Sequence, residues 1–90
     1  MSEVKEVLLD VRSPAEFAEG HAEGAINIPV GELSFRLREL NGSAPIAVYC
    51  RSGARSAAAA KLLRLGGFTV EDCSTLAQAN ARLARLASAG

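Results

Sequence analysis

The run Ile46-Ala47-Val48-Tyr49 carries an apolar or aromatic side chain at every position and ends at Cys50. A strand with one wet face alternates polar and apolar residues, whereas an unbroken run reads as a strand buried on both faces, as in a parallel sheet covered by helices. The remaining segments agree with that. Val7-Leu8-Leu9 is a short apolar strand ending at Asp10, and Ser13-Pro14-Ala15-Glu16 reads as a capping box with proline at the first helical position. Ala25-Ile26-Asn27-Ile28 is the next strand, stopped by Pro29. Val30, Leu33, Leu37 and Leu40 recur at helical spacing before Asn41-Gly42. The alanine-rich run from Arg55 to Leu65 predicts a helix that packs close to a sheet, with Gly66-Gly67 as its stop. Phe68-Thr69-Val70 predicts a last short strand, and Thr75 with Gln78 caps a final helix carrying Leu76, Leu83 and Leu86. Strands alternating with helices imply an α/β fold with a mainly parallel central sheet and helices on both faces. Function in such sheets gathers at the carboxyl ends of the strands, where Asp10 and Cys50 both fall.

Cys50 opens the stretch Cys50-Arg51-Ser52-Gly53-Ala54-Arg55 between that strand and the alanine-rich helix. Backbone N–H groups converge at such a junction, and the helix dipole presents its positive end. A cysteine beside cations at a helix N-terminus falls from about 8.5 to roughly 3.5–7.5 in pKa. Arg51 and Arg55 supply two cations within five residues of the sulfur. Ser52, Gly53 and Ala54 are small, so their amides line a concavity that favours an anion. Nucleophile and anion pocket are then one object. Cys73, by contrast, sits beside Glu71 and Asp72, whose charges raise a thiol pKa.

Composition narrows the class. Ninety residues, 49% of them hydrophobic, fit one domain over residues 1–90 with one core. No stretch approaches the roughly 20 apolar residues of a membrane span. The segment Met1-Ser2-Glu3-Val4-Lys5-Glu6 carries no basic apolar leader, so a cytoplasmic protein away from membranes is expected. A Cys50–Cys73 disulfide would consume the proposed nucleophile, which favours a reducing compartment. The net charge is zero, yet residues 1–32 hold seven acids against two bases and residues 33–90 hold three acids against eight bases. The basic half carries Cys50 and steers a small anion toward it. The four aromatic residues, Phe17, Phe35, Tyr49 and Phe68, are not interleaved with a basic run, so nucleic acid is not an expected partner.

Asp10-Val11-Arg12, Glu16-Phe17, Gly20-His21, Gly24-Ala25-Ile26-Asn27-Ile28-Pro29, Val48 to Ser56 and Gly67-Phe68 occur in an order that resembles a single-domain rhodanese, a sulfurtransferase. The likeness runs from about Val7 to about Val70. It implies a Cys50 thiolate that takes the outer sulfur of a donor such as thiosulfate, expels sulfite, and passes sulfur from a persulfide to cyanide or a thiol, including a protein thiol. It implies no cofactor and no metal, a loop of Arg51, Ser52, Gly53, Ala54 and Arg55 that holds the anion, and a supporting role for Asp10 and Arg12; a monomer is expected. Cys50 to Arg55 is a Cys-x4-Arg loop, which in rhodanese-like domains goes with sulfur transfer. The related phosphatases carry one residue more, since a phosphoryl group needs room for three equatorial oxygens.

His21, the one histidine, reads as structural more readily than as a general base. Ser52 and Ser56 are candidate donors to a bound anion. After Val70 the likeness weakens, because Asp72-Cys73-Ser74-Thr75 stands where many rhodaneses carry a Gly-Gly pair. Two other readings remain open: a rhodanese-like binding or regulatory module without turnover, and a phosphatase or arsenate reductase with a Cys-Arg cradle. Retention of the cysteine opposes the first, and loop length opposes the second.

Overall fold

The computed structural model describes residues 6–89. The segment Met1–Lys5, on which the expectation about a leader rests, lies outside the described residues. Four strands, β1 (Val7–Asp10), β2 (Ile26–Asn27), β3 (Ile46–Cys50) and β4 (Val70–Thr75), form one parallel sheet in the order β2-β1-β3-β4. Three helices, α1 (Pro14–Glu19), α2 (Ala54–Leu65) and α3 (Leu76–Ala89), connect or follow them. The fold is α/β with helices on both faces, as expected.

All five residues of β3 are buried. Their side chains alternate between two clusters, as the period of two requires. Ile46, Val48 and Cys50 join Leu9 and Val11 under Ala59, Ala60 and Leu63 of α2. Ala47 and Tyr49 join Leu8 on the opposite face, against Ala22, Cys73 and Ala79 of α3. The two alanines of α2 let its axis approach the sheet closely. Burial of a leucine-sized side chain stabilises by about 1.5–3 kcal/mol, so the two faces supply most of the folding drive.

Three elements differ from the sequence reading. The helix expected from Val30 to Leu40 is a pair of 3-10 turns, Val30–Phe35 and Leu37–Glu39. The apolar pairs Val30/Leu33 and Leu37/Leu40 are each three apart, a spacing that a 3-10 turn satisfies as well as an α-helix does, and Arg36 breaks the run with φ −121°. The last strand begins at Val70, where the expected one ends, and continues to Thr75. Glu71 and Asp72 broke the apolar pattern but face solvent on an edge strand, where polar residues are at home. In α3, Leu76 and Leu83 pack against the second cluster, whereas Leu86 is half exposed.

β4 also carries a bulge. Val48 pairs with Asp72 and Tyr49 with Ser74, which leaves Cys73 without a partner on β3. The residue after the bulge, Ser74, has φ 73°.

Candidate active site

Cys50 is the last residue of β3, and only Arg51, Ser52 and Gly53 separate it from α2. Gly53 is the N-cap of α2 with φ 103°, a left-handed conformation that turns the chain back over the strand end. The turn brings amides onto the sulfur. Gly53 N–H donates to Cys50 Sγ at 3.0 Å and Ser56 N–H at 3.2 Å. Burial alone pushes this thiol up, but hydrogen bonds from Ser56 and from the amides of Ser56, Gly53 and Ser52 outweigh it, and the Cys50 pKa lies below its ordinary value. The Ser56 hydroxyl is fully buried, with the Gly53 carbonyl at 3.0 Å and the Ser74 carbonyl at 3.3 Å as further acceptors for its single proton. The protonated Cys50 thiol itself donates to the Ser74 carbonyl at 3.5 Å.

The arginines stand differently from what loop spacing suggests. Arg55 makes a bidentate pair with Glu16 of α1, at 2.7 and 3.0 Å. A fork-to-carboxylate fit of this kind outcompetes a single contact to sulfur. Glu16 also accepts from Ser13 N–H at 2.9 Å while the Ser13 hydroxyl accepts from Glu16 N–H, the capping box of α1. Arg55 first, and Ser13 second, pull the Glu16 carboxyl down to about 2. One carboxylate thus closes α1 and latches the first turn of α2 to it. Donation to sulfur is the work of amides and the Ser56 hydroxyl. Arg51 and Ser52 are exposed, and Ala54 is the first residue of α2.

Asp10 and Arg12 form a buried pair at the exit of β1, with Arg12 Nη2 2.7 Å from Asp10 Oδ2 and Arg12 Nε 3.0 Å from each carboxylate oxygen. Arg12 also donates to the Gly20 carbonyl at 2.6 Å and lies 5.6 Å over the Tyr49 ring. Its hydrogen bonds to Asp10, partly offset by burial, raise its pKa and keep it a cation. Asn27 of β2 ties this corner together by donating to the carbonyls of Asp10 at 2.9 Å and Arg12 at 3.0 Å. Tyr49 accepts from the buried Ala22 N–H at 3.0 Å.

A cleft of about 320 Å³ opens beside the loop, lined by Arg12, Glu16, Glu19, Arg51, Thr75, Leu76 and Ala77. Cys50 has no exposed surface, so the sulfur lies beneath the loop rim rather than on the cleft wall. A larger cleft of about 440 Å³ lies along β4 and α3 and includes Cys73 but no residue of the loop. The converging amides are elsewhere, and Arg51 of the loop lines the smaller cleft, so the smaller cleft is the one tied to the thiol.

Cys73 and Cys50 sit in clusters on opposite faces of the sheet, and both are free thiols. Burial raises the Cys73 pKa most, with Glu71, Glu6 and Asp72 adding to it and Arg82 opposing. His21 stacks on Phe17 with ring centroids 3.6 Å apart, and its Nδ1 lies 2.8 Å from the Phe17 carbonyl. That is the structural role read from sequence. Glu16, Asn27 and Ser74 are site residues that the sequence reading assigned no part at the thiol. Glu16 was visible as a capping residue, but its reach to Arg55 spans thirty-nine positions. Ser74 carried no signal, since a serine gives no hint of a positive φ.

A family model described as Rhodanese-like domain matches residues 1–81. The Bacillus subtilis protein named Uncharacterized protein YqhL is 45% identical over 65 residues, covering 72% of this chain and 52% of that protein. The Escherichia coli protein named Thiosulfate sulfurtransferase PspE is 35% identical over 63 residues, covering 68% of this chain and 61% of that protein. The chain therefore spans between half and two thirds of these relatives. Among solved structures, a rhodanese with anions from E. coli matches with TM-score 0.75 at 33% identity, covering 81% of this chain and 89% of the other. Sheet order, strand-end cysteine, six-residue loop and these likenesses agree, and the chain belongs to the rhodanese-like domain family.

Proposed function

We propose that this chain is a sulfurtransferase that carries sulfane sulfur on Cys50. The observation that bears the most weight is the pair of amide donors at 3.0 and 3.2 Å from Sγ, at the N-terminus of a twelve-residue helix. Donors placed in advance around Sγ stabilise the attacking thiolate without reorganisation. The Cys50 thiolate attacks the outer sulfur of thiosulfate; the S–S bond of the donor breaks and sulfite leaves with its electron pair. Cyanide or a thiolate next attacks the outer sulfur of the persulfide, and Cys50 leaves as the thiolate. No oxidant is consumed.

The exposed Arg51 on the cleft wall suits an anionic donor, while Arg12 there is already paired with Asp10 and Glu19 shares the wall; Leu76 with Ala77 offers an apolar side for an acceptor. Because Sγ is covered, the loop must open enough to admit one sulfur atom. The functional unit in this reading is the single domain of residues 1–90, acting as a monomer in the cytoplasm without cofactor or metal. Among the described residues no helix is long and apolar enough to cross a membrane.

Thiosulfate treatment followed by peptide mass spectrometry tests the reading. A single sulfur, about 32 Da, is expected on Cys50, together with thiocyanate once cyanide is added. Cys50→Ser should abolish both, and Cys73→Ser should leave both intact. Absence of adduct and thiocyanate in the wild type would overturn the sulfurtransferase reading in favour of a module that binds without turnover, and hydrolysis of a phosphate ester in the control arm would favour a phosphatase. Blocked turnover with accumulated persulfide in Cys73→Ser would instead make Cys73 a resolving thiol.

A further inference from the structure

Ser74 is the one residue other than glycine with positive φ among the described residues, at 73°. Side chains rarely tolerate that region, and such outliers persist where the surroundings impose them. Two features impose it here. The bulge at Cys73 rotates the backbone after Asp72, and the Asp72 carboxylate accepts from Ser74 N–H at 2.8 Å, a two-residue loop of the kind Asp makes with its own main chain. The resulting peptide faces the thiol loop. Its carbonyl accepts from the Cys50 thiol at 3.5 Å and from the Ser56 hydroxyl at 3.3 Å, and its hydroxyl fills the space beside Gly53, 2.6 Å from where a Cβ on that glycine would stand.

We propose that Asp72 and Ser74 form a brace, built from the edge strand β4, that positions Cys50 for sulfur transfer. The proposal rests on the sulfurtransferase reading above. A carbonyl that accepts from the neutral thiol opposes charge on Sγ. Once sulfur is loaded, the negative charge resides on the outer sulfur, one S–S bond or about 2 Å away, and Sγ no longer carries charge for the carbonyl to oppose. The brace therefore holds Sγ while the thiol is protonated and, by opposing charge on the bare thiolate, favours the loaded form. Asp72 is exposed and acts through Ser74, which makes it a positioning residue.

The test compares wild type, Asp72→Ala and Asp72→Asn. Both variants remove the carboxylate charge, but only alanine removes the acceptor of Ser74 N–H. The other charged groups around the thiol, Arg51 and Arg55 with its partner Glu16 and the Asp10–Arg12 pair, are common to all three proteins. Thiocyanate formation should fall on the order of tenfold in Asp72→Ala and stay within about twofold of wild type in Asp72→Asn. The pH midpoint for iodoacetamide alkylation of Cys50 should lie a few tenths of a unit lower in the alanine variant than in the asparagine variant, since the acceptor for the neutral thiol is lost, roughly as hydrogen-bond effects on pKa run. Easier ionisation combined with slower transfer is not what a merely loosened fold produces. Wild-type transfer in Asp72→Ala, or equal midpoints in the two variants, overturns the brace. If the wild type itself forms no thiocyanate, the sulfurtransferase reading fails, and the midpoints alone decide whether the brace acts on the thiol.

Discussion

Replacing Gly53 with alanine puts the amide cradle under direct strain. The backbone there sits at φ 103°, and a Cβ would lie 2.6 Å from Ser74 Oγ. Left-handed backbone costs a residue other than glycine about 1–3 kcal/mol, and the close contact must be relieved as well. The Ser74 hydroxyl relieves the contact by rotating, but a Cβ at φ 103° stays strained until the backbone turns, so the peptide at position 53 moves. That peptide carries the N–H that donates to Cys50 Sγ at 3.0 Å. A hydrogen bond to a charged acceptor contributes about 1.5–3 kcal/mol, and about 1.4 kcal/mol corresponds to one pKa unit, so its loss raises the Cys50 pKa by about one to two units. The amides stabilise the thiolate, so removing one shifts ionisation to higher pH. Below the new pKa the thiolate fraction falls about tenfold per unit. Iodoacetamide alkylation across pH, read on Cys50 by peptide mass spectrometry, measures that shift. The melting temperature should fall by roughly 4–8 °C for each kcal/mol of strain in a domain of this size. A lowered melting temperature with an unchanged alkylation midpoint would refute the reasoning, because the strain would then have been absorbed without moving the donor.

Glu16→Gln should release the latch on Arg55, and the stability difference from wild type should depend on pH with a definite sign. The Glu16 carboxyl is pulled from its ordinary 4.5 to about 2, so its contribution is present above about pH 4.5 and disappears as the pH falls through about 2; chemical denaturation at several pH values checks this, and a difference that grows on acidification would contradict it. Ser74→Gly relieves φ 73° and should stabilise the fold by about 1 kcal/mol net of glycine's greater chain entropy, visible as a higher melting temperature. Tyr49→Phe leaves the buried Ala22 N–H, now bonded to the phenol at 3.0 Å, without a partner and should cost about 1–3 kcal/mol; an unchanged melting temperature would mean that another acceptor takes over.

Much of the architecture was legible in the chain because its signals are local. The unbroken apolar run of β3, the capping box at Ser13 and Glu16 and the Gly66-Gly67 stop each act within a few residues, and all three reappear in the structure. The loop Cys50 to Arg55 was legible for the same reason: a small-residue turn between a strand and a helix places amides over the strand end whatever surrounds it. Misreadings came where a pattern was degenerate or broken. Spacings of three, four and three between Val30 and Leu40 suit a 3-10 pair as well as one helix, and the acids Glu71 and Asp72 hid a strand whose edge position lets them face water.

Tertiary structure alone decided which charges meet. Sequence spacing put Arg51 and Arg55 beside the sulfur, but the fold brings Glu16 of α1 within 2.7 Å of Arg55 and pairs that cation. It likewise decided that Cys73 lies on the face of the sheet opposite Cys50, and that Ser74 aims its carbonyl at the thiol. Such contacts join residues 24 and 39 positions apart. Their geometry depends on strand register and on a single-residue bulge, and a register offset of one residue reverses the face to which a side chain points. The residue types decided that a cysteine sits at a strand end; the sheet decided what surrounds it.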